Sequence, residues 1–269
     1  MTNNNSKVII LAACEGTRLQ PLTLEKPKCL IEIFEKKILE WQLDAFKHFN
    51  IDDISIVTGH LAEKINLQSS LTYFNNIDYN TTNMLETLFC AREKMEGSVI
   101  VVYGDIIFEK DVLKKLLESK DDYSIIVDKN WEDMWKIRFN NPLDDAESLM
   151  ADEENYLTSI GQKTSDLNEI QGQYIGLMKF QNNGLEFIKK KYDEAKAISK
   201  NNKNILNPNL DFKKSYMTDF LQGLINEKYK LKAVLIENGW LELDTVSDYD
   251  KYTELYSKNK LSEFIDLCT

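Results

Sequence analysis

The sequence predicts an α/β fold, a Rossmann-like, mixed but mainly parallel sheet sandwiched by helices, and three observations carry that expectation. Short Val- and Ile-rich runs, Lys7 to Ala12 and Ser98 to Tyr103 among them, are continuously apolar after their first residue rather than alternating, as strands buried on both faces are. Segments with apolar residues at helical spacing separate these runs, which is the pattern of βαβ units. The first run also stops at a Gly-containing loop.

Taken in order, Lys7 to Ala12 (KVIILA) is the first strand, and Ala13 to Cys29 is a loop holding two of the four prolines. Ile38 to Asn50 places Ile38, Leu39, Trp41, Leu43, Ala45, Phe46 and Phe49 near helical spacing, and Asp53 to Thr58 (DISIVT) follows as a strand. Asn83 to Lys94 reads as a helix, Ser98 to Tyr103 as a strand stopped by Gly104, Val112 to Glu118 as a helix, and Tyr123 to Val127 as a strand. Beyond Lys129 the alternation weakens. Residues 130–152 are rich in Trp, Asp and Asn without a clear period, and the stretch around 129–173 is expected to be an excursion over the sheet edge. Tyr174 to Phe180 returns as a strand, Leu185 to Ala197 as a helix, and Asn201 to Asn209 as an Asn-rich loop. Met217 to Glu227 is helical, Leu231 to Ile236 a strand, Leu241 to Asp244 a short strand end, and Ser247 to Ser257 a closing helix. With no internal repeat and no linker, residues 1–269 are expected to form one domain.

A composition of 43% hydrophobic and 29% charged residues is that of an ordinary globular protein. A formal charge of −11 argues against nucleic acid or an anionic membrane as the partner, since both require a concentrated positive surface. Any phosphate ligand must then meet a local basic site, and Lys189, Lys190 and Lys191 read as a solvated helix face rather than such a site. The run Val8 to Ala13 is too short for a signal segment and follows Asn3, Asn4 and Asn5 rather than basic residues. No run approaches membrane-spanning length. Cys14, Cys29, Cys90 and Cys268 lie far apart with only His48 and His60 to join them, so no zinc site is expected and a reducing cytoplasm is the expected compartment. These features leave a homodimer open.

The most informative segment is Leu11-Ala12-Ala13-Cys14-Glu15-Gly16-Thr17-Arg18-Leu19-Gln20-Pro21-Leu22-Thr23, followed by Pro27-Lys28-Cys29-Leu30. It has neither the Gly-Lys-[Ser/Thr] of a Walker loop nor the G-x-G-x-x-G spacing of a dinucleotide turn. It offers a tight turn of small residues whose backbone N–H groups can approach an anion, with Arg18 and Lys28 as fixed positive charges. That arrangement suits a triphosphate.

This pattern resembles the L-A-A-G-x-G-[T/S]-R-L-x-P-L-T…P-K signature of the sugar-nucleotidyltransferase superfamily, whose fold is a Rossmann-like α/β sandwich. One position departs from it: Cys14 stands where the family has Gly, placing a Cβ and a thiol close to the expected nucleotide. The resemblance extends to Gly104-Asp105 after a strand and to Trp240-Leu241-Glu242-Leu243-Asp244. It implies that Asp105, Glu242 and Asp244 hold magnesium (Mg²⁺), carboxylates at strand ends bridging a hard cation to phosphate oxygens. It also implies a nucleotide lying against Leu11, Ala12, Ala13, Cys14, Glu15, Gly16, Thr17 and Arg18, with Thr58, Gly59, Thr82, Asn83 and Asp105 completing the pocket. Asn83 has a second reading, because Asn83-x-x-Glu86 before Leu88 and Phe89 is a helix-capping pattern. His60 reads as a polar loop residue.

Within the superfamily the chain is similar to small cytidylyltransferases acting on phosphocholine, aminoethylphosphonate or phosphoglutamine. Its segments Val127 to Trp131, Trp135 to Phe139, Asn141 to Glu147 and Gly172 to Leu177 look most like the phosphoglutamine type of capsular phosphoramidate synthesis. The implied reaction is in-line attack of an acceptor phosphate oxygen on the α-phosphorus of CTP, expelling pyrophosphate without a covalent enzyme intermediate. Arg18 is then expected on the β- and γ-phosphates and Lys28 on the α-phosphate or the acceptor, with Asp105 and Asp244 completing the catalytic set. The acceptor is expected to meet Lys28, Asp128, Lys129, Trp131, Trp135, Arg138, Glu147 and Tyr174. Aromatic faces and carboxylates suit an ammonium group, whereas Lys129 and Arg138 suit an acceptor carboxylate. Trp131 and Trp135 have core packing as their other reading. Two further readings compete: a sugar-1-phosphate nucleotidylyltransferase with a larger polar pocket, and a catalytically weak nucleotide-binding or scaffold protein, for which Cys14 is the only hint.

Overall fold

A computed structural model describes residues 5–65 and 70–267, so Asn3, Asn4 and Cys268 lie outside the described residues. The strands are β1 (Ser6–Ala12), β2 (Glu32–Ile33), β3 (Lys36–Lys37), β4 (Ile54–Thr58), β5 (Thr72–Asn75), β6 (Ser98–Tyr103), β7 (Ile106–Phe108), β8 (Tyr123–Asp128), β9 (Glu147–Ala151), β10 (Leu157–Lys163), β11 (Gln173–Gln181), β12 (Leu231–Ile236) and β13 (Trp240–Glu242). The helices are α1 (Ile38–His48), α2 (Met84–Cys90), α3 (Lys110–Glu118), α4 (Trp131–Arg138), α5 (Asn183–Ser199), α6 (Met217–Asn226) and α7 (Val246–Ser257). Seven strands form one sheet in the order β12-β8-β11-β6-β1-β4-β5. Every neighbouring pair is parallel except those made by β11, which runs antiparallel to both β8 and β6.

β1 shows why its run is apolar from Val8 onward. Val8 and Ile10 join the core on one face of the sheet with Leu39 and Phe46 of α1, while Ile9 and Leu11 join the opposite core with Leu85 and Leu88 of α2. Burial on both faces from Val8 to Leu11 leaves no position there for a polar residue. The helix expected over Asn83 to Lys94 is shorter, ending at Cys90 and continuing as a single 3-10 turn at Arg92–Lys94.

Residues 130–152 hold more regular structure than their pattern suggests. α4 buries Trp131, Met134, Trp135 and Arg138 and leaves Glu132, Asp133 and Lys136 outside. Its inner face contains an arginine, so the apolar period is broken at the position that completes it. Trp131 is 4% exposed and packs edge-on against Trp135 at 5.8 Å. It belongs to the core, which corrects its expected acceptor contact. β9 and β10 then form an antiparallel hairpin whose turn reaches the edge strand, Ala233 N–H donating to the Asn155 carbonyl at 2.8 Å.

Lys179 on β11 is 2% exposed and turns its ammonium to the end of α3, donating to the Ser119 carbonyl at 2.6 Å and the Leu117 carbonyl at 3.3 Å. Burial pushes its pKa down to about 8, with Lys120 adding to the effect and Asp121 opposing it. The folded value lies below the ordinary 10.5, so between those values the unfolded chain binds more protons and stability rises with pH. We expect the melting-temperature advantage of Lys179→Met over wild type to shrink as pH is raised through that window. A difference that stays constant would overturn this assignment.

Candidate active site

The site lies where the parallel strands end. β1 delivers its chain into the loop 13–28, and β6 ends at Tyr103 before the Gly104-Asp105 turn. β13 pairs antiparallel with β7 so that Glu242 stands opposite Ile106, and Leu243 N–H donates to the Asp105 carbonyl at 2.9 Å. This pairing brings Asp105, Glu242 and Asp244 together.

Gly16 makes the loop turn. Its φ of 61° is left-handed, and its carbonyl accepts from Leu19 N–H at 2.9 Å and from Thr23 Oγ1 at 2.8 Å. A Cβ there would lie 3.1 Å from Thr23 Cγ2 and 3.2 Å from Lys28 Cβ. The turn therefore packs directly on the stem of Lys28, whose residue is only 4% exposed.

Lys28 Nζ donates to Asp105 Oδ2 and to Asp244 Oδ1, both at 2.8 Å. Arg18, two-thirds exposed, places Nη2 2.7 Å from Asp244 Oδ2. Arg138 places Nη1 2.7 Å from Glu242 Oε2. Burial works against the charge on Lys28, yet Asp105, Cys14, Asp244 and Glu242 together hold its pKa above the ordinary lysine value. Burial drives Glu242 up to about 7, with Arg138 opposing and Asp105 and Asp244 adding. Despite burial, Lys28, Arg18 and Arg138 keep Asp244 below the usual carboxylate value.

The three carboxylates each offer an oxygen within 4.8 Å of the others, and Asp105 Oδ1 is buried with no hydrogen-bond partner. An all-oxygen set with one oxygen left unsatisfied fits a hard divalent cation. These residues open on a cleft of about 320 Å³, lined by Cys14 to Arg18, Lys28 and the carboxylates on one side and by Tyr79, Asn80 and Met84 on the other.

The structure sorts the remaining expected residues into those that reach the cleft and those that build it. Leu11, Ala12 and Ala13 are buried at the end of β1, and the Ala13 carbonyl accepts from His60 N–H at 3.0 Å. Gly59 approaches so closely that a Cβ would lie 2.6 Å from that carbonyl and 2.7 Å from Tyr79 Cβ. Thr58 Oγ1 donates to the Phe74 carbonyl at 3.0 Å, and Thr82 Oγ1 is held by Asn76 Nδ2 at 2.9 Å and donates to the Asp78 carbonyl at 3.0 Å. Asn83 caps α2, its Oδ1 accepting from Met84 N–H at 2.8 Å and its Nδ2 donating to the Lys214 carbonyl at 3.3 Å. Thr58 thus bonds to β5, Thr82 to the loop at 76–78, and Asn83 to the start of α2 and to the Lys214 carbonyl, and none of the three is among the residues that line the cleft. Tyr79 and Asn80 present that loop to the cleft. They lie within an amide-rich run visible in the sequence, but nothing in the run tells which side chains face outward.

The acceptor set divides in the same way. Asp128 is 1% exposed, and its oxygens accept from Asn130 N–H at 2.9 Å, Asn238 N–H at 3.0 Å and Trp240 Nε1 at 2.8 Å, so it ties loops together rather than facing a ligand. Arg138 is buried behind Glu242, which corrects its expected acceptor contact. Lys129 is exposed at the end of β8. Glu147 and Tyr174 are joined through Gln173, whose Nε2 donates to the Glu147 carbonyl at 2.6 Å, and the Tyr174 ring stands edge-on to Tyr103 at 5.8 Å. Burial, with Asp145 and Asp219 adding, pushes Glu147 up to about 7. Burial also raises the Tyr103 phenol well above its ordinary value, with Tyr174, Asp105 and Glu147 adding. Tyr103 and Asp145, whose Oδ2 accepts from Trp135 Nε1 at 3.1 Å, had no sequence signal of their own.

A family model for the MobA-like NTP transferase domain matches residues 8–160. A CTP:phosphoglutamine cytidylyltransferase of Campylobacter jejuni subsp. jejuni serotype O:2 is 38% identical over 256 residues, which span 91% of this chain and 98% of that protein. A choline-phosphate cytidylyltransferase of Streptococcus pneumoniae is 30% identical over 116 residues, 42% of this chain and 51% of its own length. Among solved structures, a CTP:phosphocholine cytidylyltransferase from Streptococcus pneumoniae superposes with a TM-score of 0.69 at 21% identity, covering 93% of this chain and 99% of that one. The inositol-1-phosphate CTP transferase from T. maritima superposes with a TM-score of 0.69 at 18% identity, covering 97% of each. At these identities the two structures show the shared α/β fold.

Proposed function

The chain belongs to the MobA-like NTP transferase family and is a nucleotidyltransferase, and from that premise we propose that it transfers CMP from CTP to phosphoglutamine with release of pyrophosphate. The observation that carries this reading is the end-to-end likeness to the Campylobacter cytidylyltransferase. The geometry supports it: the turn at Gly16, two cations and three carboxylates face one cleft.

In this reading the backbone around Gly16 and the exposed Arg18 hold the β- and γ-phosphates, and Lys28 neutralises the α-phosphate as the bond to pyrophosphate breaks. Asp105, Glu242 and Asp244 hold Mg²⁺, which when bound supplies charge neutralisation at the α-phosphate and leaving group. The acceptor phosphate is already an anion near neutral pH, so no side chain has to remove a proton. The task of the protein is to hold two anions in line. Tyr79 and Asn80 face the base, and Glu147, Tyr174, Tyr103 and Lys129 form the acceptor side, carboxylate and aromatic groups toward its ammonium and Lys129 toward its carboxylate. The compartment is read as the cytoplasm, where CTP is available, and the product as an activated precursor for surface-polysaccharide decoration. Among the described residues no helix is long and apolar enough to cross a membrane.

Pyrophosphate release measured for each of the four NTPs against phosphoglutamine, phosphocholine, aminoethylphosphonate and hexose-1-phosphates tests the assignment. CTP with phosphoglutamine should lead the other acceptors by about one to two decades in kcat/KM, the worth of a charge-assisted contact of roughly 1.5–3 kcal/mol. A preference for phosphocholine, or for a hexose-1-phosphate with another NTP, refutes it.

The loop allows a sharper test. Gly16→Ala must hold a Cβ in a left-handed conformation, at roughly 1–2 kcal/mol, and press on Thr23 and Lys28. CTP affinity by calorimetry should fall about tenfold. Cys14 is exposed and its φ is not positive, so Cys14→Gly should leave that affinity unchanged or better. A large loss in Cys14→Gly, or none in Gly16→Ala, contradicts this account of the turn.

A further inference from the structure

Arg138 closes α4 with a side chain only 1% exposed, and its guanidinium stands between two carboxylates from the far end of the chain. Nη1 forms an ion pair with Glu242 Oε2 at 2.7 Å without hydrogen-bond alignment, while Nε and Nη2 donate to Asp248 Oδ1 and Oδ2 at 3.2 and 3.4 Å. Asp248 is itself a clamp. Its Oδ2 accepts from Asp244 N–H at 3.1 Å and Thr245 N–H at 2.9 Å, and its own N–H donates to Thr245 Oγ1 at 3.1 Å, capping α7. One buried cation therefore reaches two of the three clustered carboxylates: Glu242 directly, and Asp244 through the hold of Asp248 on its backbone.

The guanidinium is fixed from its other side as well. It lies over the rings of Trp135 at 5.2 Å and Phe139 at 5.1 Å, while the backbone of Arg138 is held separately, its carbonyl accepting from Lys251 Nζ at 3.0 Å. A planar fork with donors on two edges can serve Glu242 and Asp248 at once, which a point charge on a flexible stem cannot. Without it the buried Asp248 and the half-buried Glu242 would stand near each other unneutralised, and Glu242 would lose its ion-pair partner.

We propose that Arg138 is a positioning residue of the transfer reaction: its buried guanidinium sets the direction in which Glu242 and Asp244 present their oxygens to the divalent ion, without touching the acceptor. The proposal rests on the nucleotidyl-transfer reading of the cluster. It assigns Arg138 an effect on metal binding, where the sequence pattern suggested an effect on the acceptor.

The test uses the full chain. Mn²⁺ binding is followed by the electron paramagnetic resonance signal of the free ion, and the Mg²⁺ concentration for half-maximal rate and the KM for phosphoglutamine are measured alongside. Arg138→Lys keeps the charge and loses the fork, and it carries the test should Arg138→Met fail to fold. Arg138→Lys should weaken Mn²⁺ binding about tenfold or more, the usual effect of removing a group that orients a metal ligand, and shift Mg²⁺ half-activation in step. The KM for phosphoglutamine should stay within about twofold. Asp248→Asn should shift the metal constants in the same direction, and in a Glu242→Gln background the effect of Arg138→Lys should shrink. Mn²⁺ binding unchanged in folded Arg138→Lys overturns the proposal, whether or not its melting temperature falls, and so does a tenfold rise in acceptor KM with metal binding intact. Absence of Mn²⁺ binding by wild type overturns the metal reading of the cluster together with this proposal, whereas wild-type binding that Arg138→Lys leaves unchanged overturns this proposal alone.

Discussion

Asp105→Asn should lower pyrophosphate release by about three decades or more while the protein still folds. The substitution keeps the shape of the side chain and removes its charge. Asp105 Oδ2 is paired with Lys28, and Oδ1 is buried without a hydrogen-bond partner, so this is a carboxylate oxygen of the cluster whose bonding the protein alone leaves incomplete. If it serves a divalent ion, losing it removes several kcal/mol of charge stabilisation from the transition state, and ~4 kcal/mol corresponds to about three decades. Asp244→Asn should behave alike, since Asp244 shares Lys28 and also receives Arg18. The measurement is kcat at saturating CTP and Mg²⁺, with circular dichroism and a thermal melt to confirm the fold. Near wild-type turnover in either variant overturns the metal assignment.

Lys28→Met should act on stability as well as rate. Lys28 is buried between Asp105 and Asp244, and without it the cluster keeps only Arg18, which is mostly exposed, and Arg138, which is already shared with Asp248. Removing one partner of a buried pair leaves uncompensated charge, at a cost of about 3–5 kcal/mol. In EDTA the variant should melt about 10 °C below wild type. Millimolar Mg²⁺ should restore a large part of that difference, because a divalent ion among the same carboxylates replaces the missing charge, whereas wild type should respond much less. Turnover should fall by about two decades or more even where Mg²⁺ restores the melt, because the ammonium charge that Lys28 brings to the α-phosphate is then missing. Calorimetry with and without Mg²⁺ decides the stability half of this prediction: equal melting of variant and wild type in EDTA shows that Lys28 does not hold the cluster together.

Much of this arrangement was legible in advance. The runs at Lys7 to Ala12 and Ser98 to Tyr103 announce strands buried on both faces, and both are found in the middle of the sheet. The capping pattern at Asn83 is realised as a cap, and that use of the side chain is what removes Asn83 from the base pocket. α4 was hidden for a different reason: its inner face is completed by a charge, and an arginine reads as a surface residue until its partners are known.

The sequence alone determined what depends on near neighbours: continuous apolar runs that become central strands and a turn that needs Gly16, while the carboxylates of the cleft were indicated only by the family resemblance. Tertiary structure alone decided which of those side chains face a ligand. Lys28 meets Asp244 across 216 positions and Arg138 meets Asp248 across 110, while Asp128 is claimed by Trp240 across 112. A buried charge has to be paired and a buried carboxylate has to be hydrogen-bonded. Whether Arg138, Asp128 or Lys129 is free for a substrate is therefore set by distant segments that pack around it, and no local pattern records where those segments fall.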